Sequence, residues 1–185
     1  MKKALLILTF FLLLNCKNTF INVKFNELDK EMLILAEDIL LNDQLNLYQL
    51  DKPDFEKEID TASAQTKFKY SQNFTFKEKN IGGISSSTYT YSQDDISSMK
   101  FYFKTYILGS NFEESSSESI KYKRTSKFEI ECDDYNVYEI YNSKNRLVGF
   151  SFNILKGIQI IHTSIVLNEN SNIDQKKLNK KIFQF

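Results

Sequence analysis

The side chains that could do chemistry in this chain are few and lie far apart in the sequence. The 185 residues include one histidine, His162, and two cysteines, Cys16 and Cys132. A serine or cysteine nucleophile needs a base within hydrogen-bond reach, and His162 is the one imidazole that could be that base. Its neighbours are Thr163, Ser164 and a run of apolar residues, which is more typical of a hydrogen-bonded core or sheet histidine. We therefore expect no catalytic residue, with an enzyme that uses His162 or loop carboxylates as the remaining alternative.

Pairs of adjacent carboxylates are the next candidates, for acid–base chemistry or for calcium binding. The chain has three such pairs, Asp94-Asp95, Glu113-Glu114 and Asp133-Asp134. None has the spacing of an EF-hand calcium loop, and adjacent carboxylates in loops most often form solvated turns. One histidine and one inward-facing cysteine are also too few for a zinc site. The sequence thus predicts no metal and no cofactor.

The composition excludes one class of partner. Lysine plus arginine and aspartate plus glutamate number 24 each, so the formal net charge is zero. Domains that bind nucleic acid usually carry a clear basic excess, because their affinity depends on neutralising phosphates. We therefore expect no nucleic-acid partner. With this length and 42% hydrophobic residues, the chain fits one globular domain.

The N-terminus has the layout of an export signal. Lys2 and Lys3 form a positively charged start, and residues 4–14 form a continuous apolar run. That run has the length of a signal-peptide core and is too short to span a bilayer, which needs about 20 apolar residues. Asn15 and Cys16 then end the apolar run. The sequence predicts a segment that is recognised for export and removed.

The end of this signal resembles the lipobox of bacterial lipoproteins. That motif has leucine three positions before an obligatory cysteine, and Leu13-Leu14-Asn15-Cys16 supplies both, with Asn15 where glycine, alanine or serine is usual. The resemblance covers residues 1–16 and implies that Cys16 is the lipid attachment site. It implies diacylglyceryl transfer to the Cys16 thiol, cleavage before Cys16, and acylation of the new amino group, as by palmitate. Two or more acyl chains give stable anchoring where one chain is marginal.

The resemblance also divides the chain and locates it. It implies a signal peptide at residues 1–15, and we expect a tether at 16–24 before a single domain at 25–185. One partner is then the membrane, reached through the lipid on Cys16, and a second is an unidentified protein or other component of the cell envelope. The inner and the outer membrane, and the periplasmic and outward faces, all stay open.

Hydrophobic spacing predicts a helix at each end of the domain. Apolar residues recur three or four positions apart within residues 25–41, and Asn26 is a suitable N-cap. The acidic stretch 51–60 that follows is predicted as a linker. A last helix is expected after Asn172 as its cap, with Leu178, Ile182 and Phe185 down one side.

Between these helices the apolar period changes to two, which is typical of half-buried strands. The predicted features are a strand from Thr66, a turn at Gly82-Gly83, strands at 101–107 and 128–132 with Cys132 pointing inward, a hairpin turn at 142–145 and a central strand at 158–167. The sequence therefore predicts an α+β fold. It has an N-terminal helix, an antiparallel sheet of about seven strands and a C-terminal helix, with the helices packed on the sheet.

Two functions follow as hypotheses from this layout. The first is a non-enzymatic binding or interaction module, which an outward row of lysines such as Lys67, Lys69, Lys121 and Lys123 could serve by contacting anionic partners. The same lysines could instead only solubilise the sheet and protect its edges. The second is a carrier or sensor of an apolar, lipid-like ligand between sheet and helices, because the chain has 16 phenylalanines and 10 tyrosines.

Overall fold

The computed structural model describes residues 19–63, 65–108, 120–167 and 172–185. Within these ranges nine strands form one antiparallel sheet, so the α+β class is confirmed in its coarse form, with more strands than expected. The strands are β1 (Phe20–Val23), β2 (Gln49–Leu50), β3 (Asp54–Asp60), β4 (Thr66–Phe76), β5 (Lys79–Thr90), β6 (Ile120–Thr125), β7 (Asp134–Asn142), β8 (Leu147–Lys156) and β9 (Gln159–Leu167). Their order is β1-β3-β4-β5-β9-β8-β7-β6, with β2 paired to β4. The predicted central strand is therefore central, between β5 and β8.

The described part of the chain also contains short helices. They are 3-10 helices at Glu27–Met32, Ala36–Asp38 and Gln93–Asp95, α1 (Asn42–Leu47), α2 (Ile96–Tyr102), a π-helix at Phe103–Leu108 and α3 (Gln175–Gln184). None of these helices is long and apolar enough to cross a bilayer.

Two strands form where the sequence predicted none. Strand β1 lies inside the predicted tether 16–24, and β3 replaces the predicted linker 51–60. Two acidic residues of β3 are paired within the sheet, because Lys69 on β4 contacts Glu56 at 2.9 Å and Glu58 at 2.8 Å. The ring of Phe55 stacks against two neighbouring aromatic rings, so β3 gains apolar contacts as well as charge pairing.

The predicted single helix at 25–41 is wrong, although its cap is right. The backbone N–H of Asp29 donates to Oδ1 of Asn26 at 3.1 Å, and the N–H of Asn26 donates to Oδ2 of Asp29 at 2.8 Å. This capping box starts a short 3-10 helix. Leu28, which helical spacing placed inward, is 74% exposed. Leu33 and Ile34 follow each other in the chain, and both are fully buried. An irregular segment therefore buries successive residues that a continuous helix would have placed elsewhere.

The predicted strand at 101–107 is also wrong, because this segment is helical. Met99 and Phe103 lie four residues apart, are buried, and pack against Leu155 and Ile160 of the sheet. Phe101, which the alternation placed inward, is 65% exposed. The helical spacing of Met99 and Phe103 is satisfied by one apolar patch of the sheet, so it overrides the local alternation.

The Gly82-Gly83 pair is not a turn. Both glycines lie within β5, and the chain reverses instead at Lys77 and Glu78, whose φ angles are 49° and 63°. A Cβ atom on Gly82 would lie 1.8 Å from the backbone oxygen of Val166. Glycine is therefore required here for the close approach of β5 to β9.

Other predicted features are partly reproduced. The hairpin turn at 142–145 is confirmed, with β7 ending at Asn142 and β8 starting at Leu147. Residues 126–131, predicted in part as a strand, form neither strand nor helix. The last helix has Asp174 rather than Asn172 as its N-cap, because the Asp174 side chain accepts from the N–H of Lys177 at 3.1 Å.

The two faces of the sheet differ in what covers them. The main core lies on one face, where Leu178 and Ile182 of α3 and the segment around Leu33 join buried sheet residues such as Phe152 and Ile161. The opposite face, which we call the pocket face, carries a smaller buried cluster under α2 and the π-helix.

Candidate functional site

A pocket of about 730 Å³ lies on the pocket face, beside α2 and the π-helix. This volume lies within the range of small-molecule sites. Its lining is Phe20, Gln65, Ser87, Tyr89, Tyr91, Tyr102, Tyr106, Ile107, Tyr122, Tyr138, Ser151, Asn153, Ile160, His162 and Ser164. The pocket therefore draws on both edges of the sheet, on its centre and on the helical wall.

The floor of the pocket follows a row of polar residues across neighbouring strands, of which Ser87, Asn153 and His162 line the pocket. His162 of β9 pairs in register with Ser87 of β5 on one side and with Asn153 of β8 on the other. Asn153 pairs in turn with Asn136 of β7. Side chains at paired positions lie on the same face of a sheet, so these four residues form one continuous strip.

Three of these residues form a hydrogen-bond chain that ends on the helical wall. Nδ2 of Asn136 donates to the backbone oxygen of Ile107 at 3.0 Å and to the hydroxyl of Tyr138 at 3.3 Å. Nδ2 of Asn153 donates to Oδ1 of Asn136 at 2.6 Å. Nδ1 of His162 bonds to Oδ1 of Asn153.

The direction of this chain fixes the tautomer of His162. A backbone carbonyl can only accept, so Asn136 must present its amide nitrogen to Ile107 and its oxygen to Asn153. Asn153 must then present its own oxygen to the imidazole. Nδ1 of His162 therefore carries the proton, and in the neutral ring Nε2 is an acceptor.

His162 is neutral at neutral pH for a physical reason. The residue is exposed to solvent through the pocket. It nevertheless lies at the bottom of a concave site, where the other lining residues surround its ring. Burial lowers the pKa of His162 below its ordinary value, because a protonated ring would lose much of its hydration there. The pocket therefore holds an unprotonated imidazole nitrogen that can accept a hydrogen bond.

Tyrosine dominates the walls. Six of the ten tyrosines of the chain line the pocket. Tyr102 and Tyr106 stand on the helical wall with ring centroids 5.4 Å apart, and they are 48% and 61% exposed. Burial raises the pKa of Tyr91, although a hydrogen bond with Gln65 opposes the rise. These walls offer flat apolar rings with neutral hydroxyl groups at their ends.

No charged side chain is among the described residues that line the pocket. Lys67 lies at its margin, with Nζ 4.9 Å from the centroid of the Tyr89 ring. Lys67 and Lys69 are also paired with the carboxylates of β3. The predicted lysine face is not continuous, since Lys121 and Lys123 lie opposite Tyr141 and Glu139 on the other side of the sheet.

Most of the candidates from the sequence lie away from this pocket. Oδ2 of Asp95 accepts from Ser92 at 2.6 Å within a local turn, and Oδ2 of Asp133 accepts from the N–H of Gly157 at 2.7 Å, which ties the start of β7 to the turn between β8 and β9. Glu113-Glu114 and Cys16 lie outside the described residues. In the described ranges, no group of three or more His, Cys, Asp or Glu side chains could hold a metal ion.

Cys132 is partly buried beside the main core, on the face away from the pocket. Its thiol donates to the backbone oxygen of Asp134 at 3.3 Å, and burial raises its pKa to about 11. A thiol with that pKa is protonated at neutral pH and is a poor nucleophile. Cys132 thus packs, as expected, although not from a strand.

His162 is the sequence candidate that the pocket does contain. It is a hydrogen-bonded sheet histidine, as the structural interpretation predicted, but its ring faces the pocket instead of the core. The sequence reasoning did not single out Asn136 or Asn153. The available signal was the polar residue Asn153 inside the apolar strand around it, at a position with the same parity as Ser151.

Comparison of the chain with protein-family models, with curated proteins and with solved structures finds no match. The pocket is thus interpreted from its own geometry.

Proposed function

We propose that this chain is a lipid-anchored binding protein of the bacterial cell envelope, which holds a small organic ligand in the tyrosine-lined pocket without transforming it. The observation that carries the proposal is the pocket itself, with six tyrosines around a polar floor. Aromatic walls with a few fixed polar groups are the usual composition of a ligand site. The hydrogen bond of His162 goes to Asn153 and to no serine or tyrosine hydroxyl of the described lining, so binding is favoured over catalysis.

The position of the pocket fits an anchor at Cys16. Phe20 lines the pocket and follows Cys16 by four residues. Four residues of extended chain reach at most about 14 Å. A lipid on Cys16 would therefore hold the mouth of the pocket close to the bilayer surface, where an envelope protein meets its ligand.

The ligand site is proposed on the pocket face and not between the sheet and the terminal helices. On the face that α3 covers, large side chains such as Leu33, Phe74 and Phe152 are fully buried. They occupy the space that a ligand between sheet and helices would need. The carrier hypothesis therefore moves to the opposite face, where its ligand would meet hydroxyl groups as well as rings.

Binding is tested with small water-soluble ring compounds and with a matched pair of variants. Ser87→Phe fills the floor of the pocket, whereas Ser71→Phe adds the same ring at an exposed position outside the lining. The probes are uridine, para-nitrophenyl glucoside and para-hydroxybenzamide, with their charged counterparts uridine monophosphate, para-nitrophenyl glucuronide and para-hydroxybenzoate. Saturation-transfer NMR on the full-length protein in detergent micelles detects which probes bind.

The proposal expects at least one probe to bind the wild type and Ser71→Phe but not Ser87→Phe. Absence of binding by all six probes would contradict it. Binding that survives Ser87→Phe would equally show that the pocket is not the site.

The anchor is tested with the two cysteines as a pair. Cys16→Ser should move the protein from the membrane fraction to the soluble fraction, because the thioether-linked lipid can no longer form. Cys132→Ser is the matched control and should remain with the membranes. Membrane retention of Cys16→Ser in detergent phase separation would overturn the proposed anchor while leaving the pocket untested by that result alone.

A further inference from the structure

The pocket combines features that restrict the chemistry of its ligand. Its rings come from the tyrosine walls, its lining has no charged side chain in the described residues, and its floor holds one imidazole. Each of these features selects for or against a class of molecule, and together they point to one class.

The absence of charged side chains from the described lining disfavours anions. An anion in this pocket would lose hydration without meeting a cation in the lining, because Lys67 and Lys69 are engaged with Glu56 and Glu58. It would also face Nε2 of His162, which is an acceptor in the tautomer fixed by Asn153. Two acceptors facing each other repel, so a carboxylate or phosphate is doubly disfavoured.

The same uncharged lining disfavours cations. Tyrosine rings attract cations, and an aromatic cage can bind a quaternary ammonium group. Here, however, the described lining has no carboxylate, and Nζ of Lys67 already lies over the ring of Tyr89. Arg124 of β6 pairs in register with Tyr138 and lies on the same face, outside the lining. A cationic ligand would therefore lose hydration without meeting a carboxylate in the described lining.

The third feature selects a hydrogen-bond donor. The hydrogen-bond chain from Ile107 through Asn136 and Asn153 occupies Nδ1 of His162 and leaves Nε2 as the nitrogen available to a ligand. The flanking hydroxyls of Ser87, Ser151 and Ser164 can either donate or accept, so they do not discriminate. Asn153 can donate through its amide nitrogen and accept through its oxygen, whereas Nε2 of the neutral imidazole can only accept.

We propose that the pocket selects an uncharged, ring-bearing ligand that donates a hydroxyl or N–H hydrogen bond to Nε2 of His162. This inference rests on the proposed binding function and names the ligand class of the same site. Neutral sugars, nucleosides and phenolic amides share this chemistry. The tyrosine rings pack against the flat face of the ligand, and His162 orients its donor.

The three matched probe pairs test this selectivity, since the members of each pair differ mainly in one charged group. The neutral member of a pair that binds should have a dissociation constant at least about tenfold lower than its charged counterpart, which corresponds to one unpaired polar group. Choline, added as a cationic probe, should bind more weakly than the best neutral probe. Equal affinities within every pair, or tightest binding by choline, would overturn the inference and leave the proposed binding function standing.

Variants of the floor test the role of His162. His162→Phe keeps a ring at this position but removes the acceptor, so the neutral probe should bind about tenfold more weakly. Asn153→Leu keeps the imidazole but frees Nδ1, so both tautomers become accessible and the loss should be smaller. Ser71→Phe is the control with unchanged affinity. Unchanged affinity in a folded His162→Phe protein, verified by circular dichroism, would contradict the proposed contact.

If all probes fail to bind the wild type, the proposed function fails with the inference. If probes bind in a way that depends on Ser87 but show neither charge selectivity nor dependence on His162, only the inference fails. The two outcomes are therefore distinguishable in one set of measurements.

Discussion

Nδ2 of Asn153 donates a 2.6 Å hydrogen bond to Oδ1 of Asn136, and this contact transmits the orientation of Asn136 to the polar strip on the pocket face. Asn136 is almost fully buried and is oriented by the backbone oxygen of Ile107 in the π-helix. The wall of the pocket and the imidazole on its floor are thus joined by side-chain amides. A change at Asn136 should affect both.

Replacing Asn136 with leucine tests this connection. Asn136→Leu removes the hydrogen bonds to Ile107 and Asn153, and it leaves the partly buried amide of Asn153 without this acceptor. The free energy of unfolding, measured by urea denaturation, should fall by about 1–3 kcal/mol. Asn22→Leu, at an exposed position on the edge strand β1, should change it by less than about 0.5 kcal/mol. Equal effects of the two substitutions would show that the strip has no structural role.

The lowered pKa of His162 gives a pH dependence with a definite sign. As the pH falls below the ordinary histidine pKa of about 6.5, His162 binds a proton in the unfolded chain but not yet in the folded chain. Stability should therefore be constant above this pKa and decrease as the pH falls from it towards the lowered folded-state pKa. Acid should also weaken ligand binding, because a protonated Nε2 becomes a donor.

The contribution of His162 is isolated by comparing the wild type with His162→Phe. Carboxylates change the stability of both proteins with pH, so the difference between their urea midpoints reports the histidine. Between pH 7 and about pH 5.5 the wild type should lose more stability than His162→Phe. A larger loss in His162→Phe would mean that the folded state prefers the protonated imidazole, contrary to its surroundings.

Close approach of the strands predicts one sensitive glycine and one tolerant glycine. A Cβ atom on Gly149 of β8 would lie 2.0 Å from the backbone oxygen of Ile165 on β9, whereas one on Gly157 would meet no atom within 4 Å. Gly149→Ala should reduce the free energy of unfolding by about 3 kcal/mol or more, since the backbones must separate. Gly157→Ala introduces only the strain of a positive φ of 57°, so the free energy of unfolding should fall by about 1–2 kcal/mol. The reverse order in urea denaturation would contradict the strand spacing.

The sequence predicted the parts of the fold whose residues meet a uniform environment. Strand β4 was predictable because Phe68, Tyr70 and Phe74 alternate towards one dry face. The segment after Ile96 was not, because the alternation of Phe101 and Phe103 competed with the helical spacing of Met99 and Phe103. The apolar patch on the sheet that decides between them is not visible in the local sequence.

The pocket was harder to predict than the fold for a related reason. Ser87, Asn136, Asn153 and His162 come from four strands, and only the register of the sheet brings them together. Each is an ordinary polar residue in its own strand. His162 could be noticed because it is the one histidine, but its orientation towards the pocket depends on the parity of β9 within the sheet.

The protonation of the two His162 ring nitrogens, measured before and after a ligand is added, tests the proposed ligand contact most directly. The chain has one histidine, so the nitrogen NMR spectrum of protein with labelled histidine contains the signals of His162 alone. At pH 7 and without ligand, we expect Nδ1 to be protonated and Nε2 to be unprotonated. Titration with the neutral probe that binds most tightly should shift the Nε2 signal as it accepts a hydrogen bond, while Nδ1 keeps its proton. A proton on Nε2 in the free protein, or an Nε2 signal that does not move at saturation, would contradict the proposal that Nε2 accepts a hydrogen bond from the ligand.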